Sequence, residues 1–305
     1  MHPPRPRVPT CMRYIGNKTR LLPFILGTLR RLNIAPGSAH DAFAGTAAVG
    51  RALKAAGWRV ASSDLMTYSY VFQRAYVVAR RSPSLVALRA GDVDVRRALR
   101  SPALCDEPPL RALGTYLATC VEPEHGFVTE HFSPAGGRMY FTEANARRID
   151  AARHALHRWH GAGLIGDDAF YILLAALIEG ADRAANTAGV YAAFIKRWQP
   201  NAARPVSLVP EMPTAGPAGA SAHRGDATEV ASRIGALDLL YVDPPYNSRQ
   251  YAGYYHVPEL IARGWFDERP VLRGKTGLIA HHAERSAWCA TRRVAPAFAA
   301  LLGAT

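Results

Sequence analysis

Cysteine is scarce in this sequence, and long apolar runs are absent. The four cysteines among 305 residues have spacings that fit neither a metal site nor a disulfide framework: Cys11, Cys105, Cys120 and Cys289. The longest apolar run, 169–178, is too short to cross a bilayer, and the Pro-rich start lacks the apolar stretch of a signal peptide. These absences argue against a disulfide scaffold and a membrane span, and they predict a cytoplasmic protein. The eleven histidines show no ligand spacing, and the pair His281 and His282 has a loop context, so we predict no metal.

Acidic residues are few relative to basic ones. The chain has 37 Lys and Arg against 24 Asp and Glu, a formal net charge of +13 and a pI near 10.0. The first forty residues contain no acid, and the segment 183–204 carries four basic residues without an acid. A solvated basic surface would explain the total equally well. Two patches of one sign, however, favour contact with the phosphates of nucleic acid.

Helix and strand signals alternate in the first part of the chain. An amphipathic helix is predicted over Leu21 to Leu32, and a short strand ends at Asp41. A helix from Thr46 to Ala56 follows, and a strand from Trp58 to Ser62 then leads to Asp64. This order is that of a βαβ unit in an α/β fold.

From residue 82 the pattern changes to helices and polar turns, including a helix from Asp168 to Ala185. A Pro- and Gly-rich loop over 200–222, with one short strand at Val206 to Val209, leads back to the first domain. We therefore predict a first domain made of 11–81 and 206–305, interrupted by a mostly helical insertion over 82–205.

The last part of the chain returns to the α/β pattern. A helix over Thr228 to Ile234 precedes a buried type of strand over Leu237 to Val242. Further helices are predicted over Tyr254 to Arg263 and Arg285 to Leu302. No internal repeat is visible.

A strand, a glycine turn and a helix meet at Asp41-Ala42-Phe43-Ala44-Gly45. Gly45 allows a tight turn with close approach of a ligand, and the helix start offers free N–H donors. The segment lacks the lysine of a phosphate loop and the three glycines of the dinucleotide fingerprint. Asp64, at the end of the next strand, is suited to bind ribose hydroxyls. Taken alone, the two features also fit an ordinary strand, turn and helix with a capping aspartate.

Asp243-Pro244-Pro245-Tyr246 follows the last predicted strand, and its composition suits methylation of an aromatic amine. The Asp243 carboxylate and the Pro244 carbonyl can accept hydrogen bonds from the amine, while Pro245 helps to fix the turn without offering an N–H donor. Tyr246 can stack on a base that has been flipped out of the duplex. A simple Pro-Pro turn would explain the prolines but not the flanking Asp and Tyr.

With these motifs in this order, the chain resembles the Dam-type (class alpha) adenine-specific DNA methyltransferases. The resemblance implies a Rossmann-like sheet with an inserted target-recognition domain, S-adenosyl-L-methionine as cofactor, and transfer to the exocyclic amine of adenine in double-stranded DNA. It implies catalytic roles for Asp243, Pro244, Pro245 and Tyr246. The residues that it places beside the cofactor are Tyr14, Lys18, Asp41, Phe43, Ala44, Gly45, Asp64 and Asp226. Those that it places at the DNA are Asn186, Gly189, Tyr191, Lys196 and Arg197.

Several of these positions have simpler interpretations. Lys18 fits a solvated residue at a helix start, and Asp226 fits an N-cap for the following helix, which is compatible with a contact to the cofactor. Lys196 and Arg197 also fit surface charges. The resemblance leaves open a companion restriction endonuclease as a partner.

About sixty residues follow Tyr246, where members of the resembled family continue with further strands. We therefore expect C-terminal strands to be missing and the strand at Leu237 to Val242 to form a sheet edge. Two alternatives follow: an inactive, truncated DNA-binding relative, and an enzyme that methylates the amine of cytosine. The second is disfavoured because such enzymes usually carry Ser at the position of Asp243.

Overall fold

Four parallel strands form the central sheet in the computed structural model, which describes residues 12–245, 250–279, 286–290 and 292–304. Their order is β3-β2-β1-β4. The strands are Ser38–Asp41 (β1), Arg59–Asp64 (β2), Ser221–Arg224 (β3) and Leu239–Tyr241 (β4).

The chain order of the strands reverses at β1, which lies between β2 and β4. Asp41 pairs with Ser62 of β2 on one side and with Tyr241 of β4 on the other. Because all the strands run in the same direction, their carboxyl ends meet at one edge. In open α/β sheets this reversal leaves a crevice in which ligands bind.

Helices cover the sheet and supply all the regular secondary structure between β2 and β3. A π-helix at Gln73–Val78 extends α3, and two short strands, Leu272–Arg273 (β5) and Leu278–Ile279 (β6), pair antiparallel. The helices of the first half are Leu22–Arg31 (α1), Ala48–Ala55 (α2), Thr67–Phe72 (α3), Val86–Gly91 (α4), Val93–Ala98 (α5), Pro109–Thr119 (α6) and Phe127–Phe132 (α7). Those that follow are Glu143–Gly161 (α8), Asp167–Ala184 (α9), Ala227–Ile234 (α10), Tyr251–Tyr254 (α11), His256–Arg263 (α12) and Val294–Gly303 (α13).

Two hydrophobic clusters hold the described residues together. The larger is continuous from the sheet into the helical segment and includes Val60 of β2 and Leu173 of α9. Helix α9 is apolar on almost all sides, as expected of a helix with neighbours all around it. The smaller cluster joins Ala42, Ala231, Trp288 and Leu301 on the α10 and α13 side of the sheet.

The α/β class and the order of the main elements are confirmed, and β4 lies at the edge of the described sheet, as predicted. The prediction of a strand at Val206 to Val209 is wrong. This segment instead packs against α9 at Gly180 and against α6 at Gly114. A Cβ on Gly180 would lie 2.4 Å from the Ser207 carbonyl oxygen, and a Cβ on Gly114 would lie 2.7 Å from the Leu208 carbonyl oxygen.

The helix predicted over Arg285 to Leu302 begins later, at Val294, after a 3-10 turn at Ala287–Cys289. The strand β3 and the pair β5 and β6 were not predicted. The division of the chain at residues 82 and 206 stays a prediction. Within the described ranges, no helix is long and apolar enough to cross a membrane.

Candidate functional site

A cleft opens at the carboxyl edge of the sheet, where β1 and β4 lie side by side. It encloses about 910 Å³, including the solvent at its mouth. All the residues predicted to contact the cofactor line it, together with three of the four predicted catalytic residues; Tyr246 lies outside the described residues. They are Tyr14, Lys18, Asp41, Phe43, Ala44, Gly45, Asp64, Asp226, Asp243, Pro244 and Pro245.

The loop between β1 and α2 forms the floor of the cleft. Gly45 has a φ of +52°, and a Cβ at this position would lie 2.9 Å from the ring of Tyr14. The Gly45 N–H donates to Asp64 Oδ2 at 2.9 Å, and the Ala44 N–H donates to the Ser63 carbonyl at 2.9 Å. The loop is therefore fixed by the neighbouring strand, with its backbone open to close approach.

Asp41 ends β1 with its carboxylate buried. Its Oδ2 accepts a hydrogen bond from the Gly50 N–H at 2.9 Å, whereas Oδ1 has no partner among the described residues. Burial raises the pKa of Asp41 to about 7, and the nearby Asp64 and Asp243 add to this rise. An unpaired acceptor in a buried carboxylate is costly unless a ligand or a proton satisfies it.

Replacing Asp41 with Asn tests this description through stability. The folded protein holds the Asp41 proton up to a pKa of about 7, whereas the ordinary value is 3.8, so stability should fall as pH rises across this window. Asn stays neutral, so the unfolding temperature of the variant should change less than that of the wild type between about pH 5 and about pH 8. Thermal unfolding of both proteins across this range measures the difference, and two parallel curves would contradict it.

Two further carboxylates lie at the ends of the neighbouring strands. Asp64 Oδ1 accepts from the Met66 N–H at 2.9 Å, and burial raises the pKa of Asp64. Asp226 follows β3 and caps α10, accepting from the Thr228 N–H at 2.9 Å. The N-cap interpretation of Asp226 is confirmed, and the same residue also lines the cleft.

Tyr14 belongs to an aromatic wall made by widely separated parts of the chain. Its ring stacks on Tyr255 at 4.8 Å between centroids and lies 5.4 Å from Tyr251 and 6.2 Å from Tyr68. The Ile15 N–H donates to the Tyr255 hydroxyl at 2.7 Å and so anchors the segment. Of these four rings, Tyr14 and Tyr251 line the cleft and give it apolar surface.

Lys18 and Asp243, which both line the cleft, form an ion pair. The Lys18 Nζ lies 2.6 Å from Asp243 Oδ2 and also donates to the Gly16 carbonyl at 2.9 Å. Both side chains are largely covered, so the interpretation of Lys18 as a solvated helix-start residue is wrong. The pair joins the N-terminal segment to the turn that leaves β4.

Trp288 is a residue of the cleft that sequence reasoning missed. Its indole meets the ring of Phe43 edge-on at 4.9 Å between centroids, and the side chain is buried. The neighbouring Ser286 N–H donates to the Gln250 side chain at 2.9 Å, and both of these residues line the cleft as well. No local motif marks Trp288, because its role depends on where the segment after β6 returns.

The five residues predicted to contact DNA lie outside the cleft, on the loop that follows α9. Tyr191 is buried, and its hydroxyl donates to Asp182 Oδ1 at 3.1 Å. Asn186 is also buried and holds the Ile195 carbonyl at 2.7 Å. These two residues shape the loop, Gly189 permits its turn with a φ of +111°, and Lys196 and Arg197 are exposed on it. Contact of the five with DNA stays a prediction.

Known proteins resemble the chain over most of its length. The chain is 35% identical to the Type II methyltransferase M.NlaIII of Neisseria lactamica over 95% of its own length and 79% of that protein. It is 33% identical to the Type II methyltransferase M.FokI of Planomicrobium okeanokoites and 34% identical to the modification methylase LlaI of Lactococcus lactis subsp. lactis. These two matches cover 94% and 87% of the chain, but only 42% and 40% of the relatives.

No solved structure gives a significant match. The sequence model of the D12 class N6 adenine-specific DNA methyltransferase family matches residues 14–278. This range contains every described cleft residue named above except Ser286 and Trp288. The chain therefore belongs to the D12 class N6 adenine-specific DNA methyltransferase family.

Proposed function

We propose that the cleft binds S-adenosylmethionine and that the chain methylates adenine N6 at specific sites in double-stranded DNA. The observation that carries the proposal is the charge of the cleft beside Asp243. Four carboxylates line it, from Asp41, Asp64, Asp226 and Asp243, and Lys18 is the single cation among its described residues. Such a site repels phosphates and suits a ligand with positive charge.

The residues fit this cofactor, which supplies an activated methyl group on a cationic sulfur. Asp41 offers a buried carboxylate oxygen that has no partner among the described residues. The Asp64 carboxylate at the end of β2 would receive ribose hydroxyls, and Asp226 would approach the adenine ring. Phe43 and Tyr14 supply apolar surface, while Gly45 lets the ligand come close to the backbone.

Asp243 and Pro244 would hold the target amine. Their carboxylate and carbonyl oxygens would accept hydrogen bonds from its two N–H groups, which would draw the nitrogen lone pair out of conjugation with the ring and toward the methyl group. Asp243 would take the proton that the amine loses when it gains the methyl group. Lys18, whose Nζ lies 2.6 Å from Asp243 Oδ2, would orient this carboxylate before the base arrives. Pro245 fixes the turn, and Tyr246 would stack on the base.

The helical segment 82–205 would recognise the DNA, with the loop after α9 contacting it through Lys196 and Arg197. Both side chains are exposed and can reach phosphates. The names of the relatives as Type II and modification methylases support a restriction endonuclease as companion. Cysteine usage supports a cytoplasmic location.

Purified protein incubated with tritiated S-adenosylmethionine and unmethylated genomic DNA tests the function. Label should enter DNA and, after digestion to nucleosides, appear in N6-methyladenine. Asp64→Ala should raise the KM for the cofactor strongly while leaving DNA binding in place. Label in N4-methylcytosine would contradict the choice of base, and DNA binding without transfer would support the inactive relative.

A further inference from the structure

Trp198 presents its indole to solvent, unlike most tryptophans of this chain. Its exposed fraction is 39%, whereas Trp58, Trp159 and Trp288 are 2–3% exposed. Lys196 and Arg197 come directly before it, and both are exposed. An exposed aromatic ring beside two cations is the combination that single-stranded nucleic acids meet in their binding grooves, where cations contact phosphates and rings stack on bases.

The backbone around Trp198 is held firmly on both sides. Before it, the Ile195 N–H donates to the Asn186 carbonyl at 3.0 Å; after it, the Gln199 N–H donates to the Asn186 side chain at 3.0 Å. The Asn201 side chain donates to the Ala185 carbonyl at 2.9 Å. The exposed ring is thus attached to a backbone that is already ordered, which lowers the conformational entropy lost when the ring meets a ligand.

The same loop is attached to the rim of the cleft at two points. The Tyr191 N–H donates to the Tyr254 carbonyl at 2.7 Å, and Tyr254 belongs to α11, whose Tyr251 lines the cleft. Arg13 directly precedes the cleft residue Tyr14, and its guanidinium donates to the Thr187 carbonyl at 3.0 Å. The loop is therefore joined by hydrogen bonds to two segments that line the cleft.

We infer that Trp198 stacks on DNA bases at the position where the duplex opens, while Lys196 and Arg197 hold the adjoining phosphates. The inference rests on the proposed function, because an adenine taken into the cleft leaves a gap in the base stack. An apolar side chain that enters such a gap replaces part of the lost stacking. Trp198 would thereby assist the opening of the duplex without touching the cofactor.

Two labelled duplexes of one sequence test this role without knowledge of the recognised site. One is fully paired, and the other has a single abasic position that provides a ready-made gap. The wild type should bind the abasic duplex about tenfold more tightly, the difference expected from stacking on one base. Trp198→Ala should bind both duplexes equally, Trp198→Phe should keep part of the preference, and Lys196→Gln should weaken binding to both by the same factor.

Phe24→Ala is the matched control, because Phe24 is an exposed aromatic residue near Arg31 on α1, away from the loop. This variant should keep the wild-type preference. A Trp198→Ala protein that keeps the preference, or a wild type without one, would overturn the inference. Methyl transfer by the wild type is measured separately: its absence refutes the proposed function, whereas the abasic preference tests Trp198 alone.

Discussion

Asp243→Asn is expected to lower the rate of methyl transfer by about 100- to 1,000-fold, the usual effect of removing one well-placed group that stabilises the transition state. The Asn side chain has nearly the same size but loses the charge and one of the two carboxylate acceptors. Single-turnover transfer of tritiated methyl groups measures the rate, and equilibrium dialysis measures cofactor affinity. Affinity should stay within about threefold, because the acceptors for the amine contribute little to cofactor binding.

The same strand supplies a control for this substitution. Asp238 precedes β4 at the opposite end from Asp243, where its Oδ2 accepts from the Ser38 N–H at 2.7 Å. Asp238→Asn should leave the transfer rate within about twofold, since no reacting group is near. If Asp243→Asn instead abolished cofactor binding and Asp238→Asn did not, Asp243 would be a cofactor ligand and its assigned role would be wrong.

Gly45→Val is expected to reduce cofactor affinity by about 100-fold, since two costs of about 1 to 2 kcal/mol each add together. A β-branched residue is strained at a φ of +52°, and its Cβ would approach the Tyr14 ring to 2.9 Å. To relieve the backbone strain or the close contact, the loop at residue 45 or the Tyr14 ring must shift, and either shift changes the shape of the cleft. Equilibrium dialysis of the labelled cofactor gives the affinity, and thermal unfolding reports the accompanying loss of stability.

Gly163→Val separates backbone strain from the effect on the site. Gly163 has a φ of +68° at the end of α8, and a Cβ there would meet no atom within 4 Å. This variant should lose stability through strain alone and keep wild-type cofactor affinity. Equal losses of affinity in both variants would mean that Gly45 acts through general stability, not through the shape of the cleft.

Residues whose role is local could be predicted from the sequence. Asp41 and Asp64 end the two strands of the predicted βαβ unit, and in parallel strands the carboxyl ends must meet at one edge. Asp243 could be placed for the same reason, because Pro244 ends the ladder directly after β4. The cleft therefore contains the predicted acidic residues.

Residues whose role depends on tertiary packing could not be predicted in the same way. Strand β3 reads Ser-Ala-His-Arg, which has no apolar alternation, and it is a strand because β2 offers it a pairing edge. Trp288 reaches Phe43 only because the chain returns after β6. Tyr191 was assigned to DNA from its position in a motif, whereas its burial depends on the neighbours Asp182 and Tyr140.

The aromatic wall has a bearing on how the protein is made in the cell. Tyr14 is synthesised about 240 residues before its stacking partner Tyr255, whose hydroxyl also anchors Ile15. The wall cannot close until α12 has emerged and folded, whatever the sheet has done by then. Nascent chains that stall before this point should hold β1 and β2 and yet be unable to retain the cofactor. Cofactor binding by stalled chains would thus report the moment at which the Tyr14 segment and α12 come together.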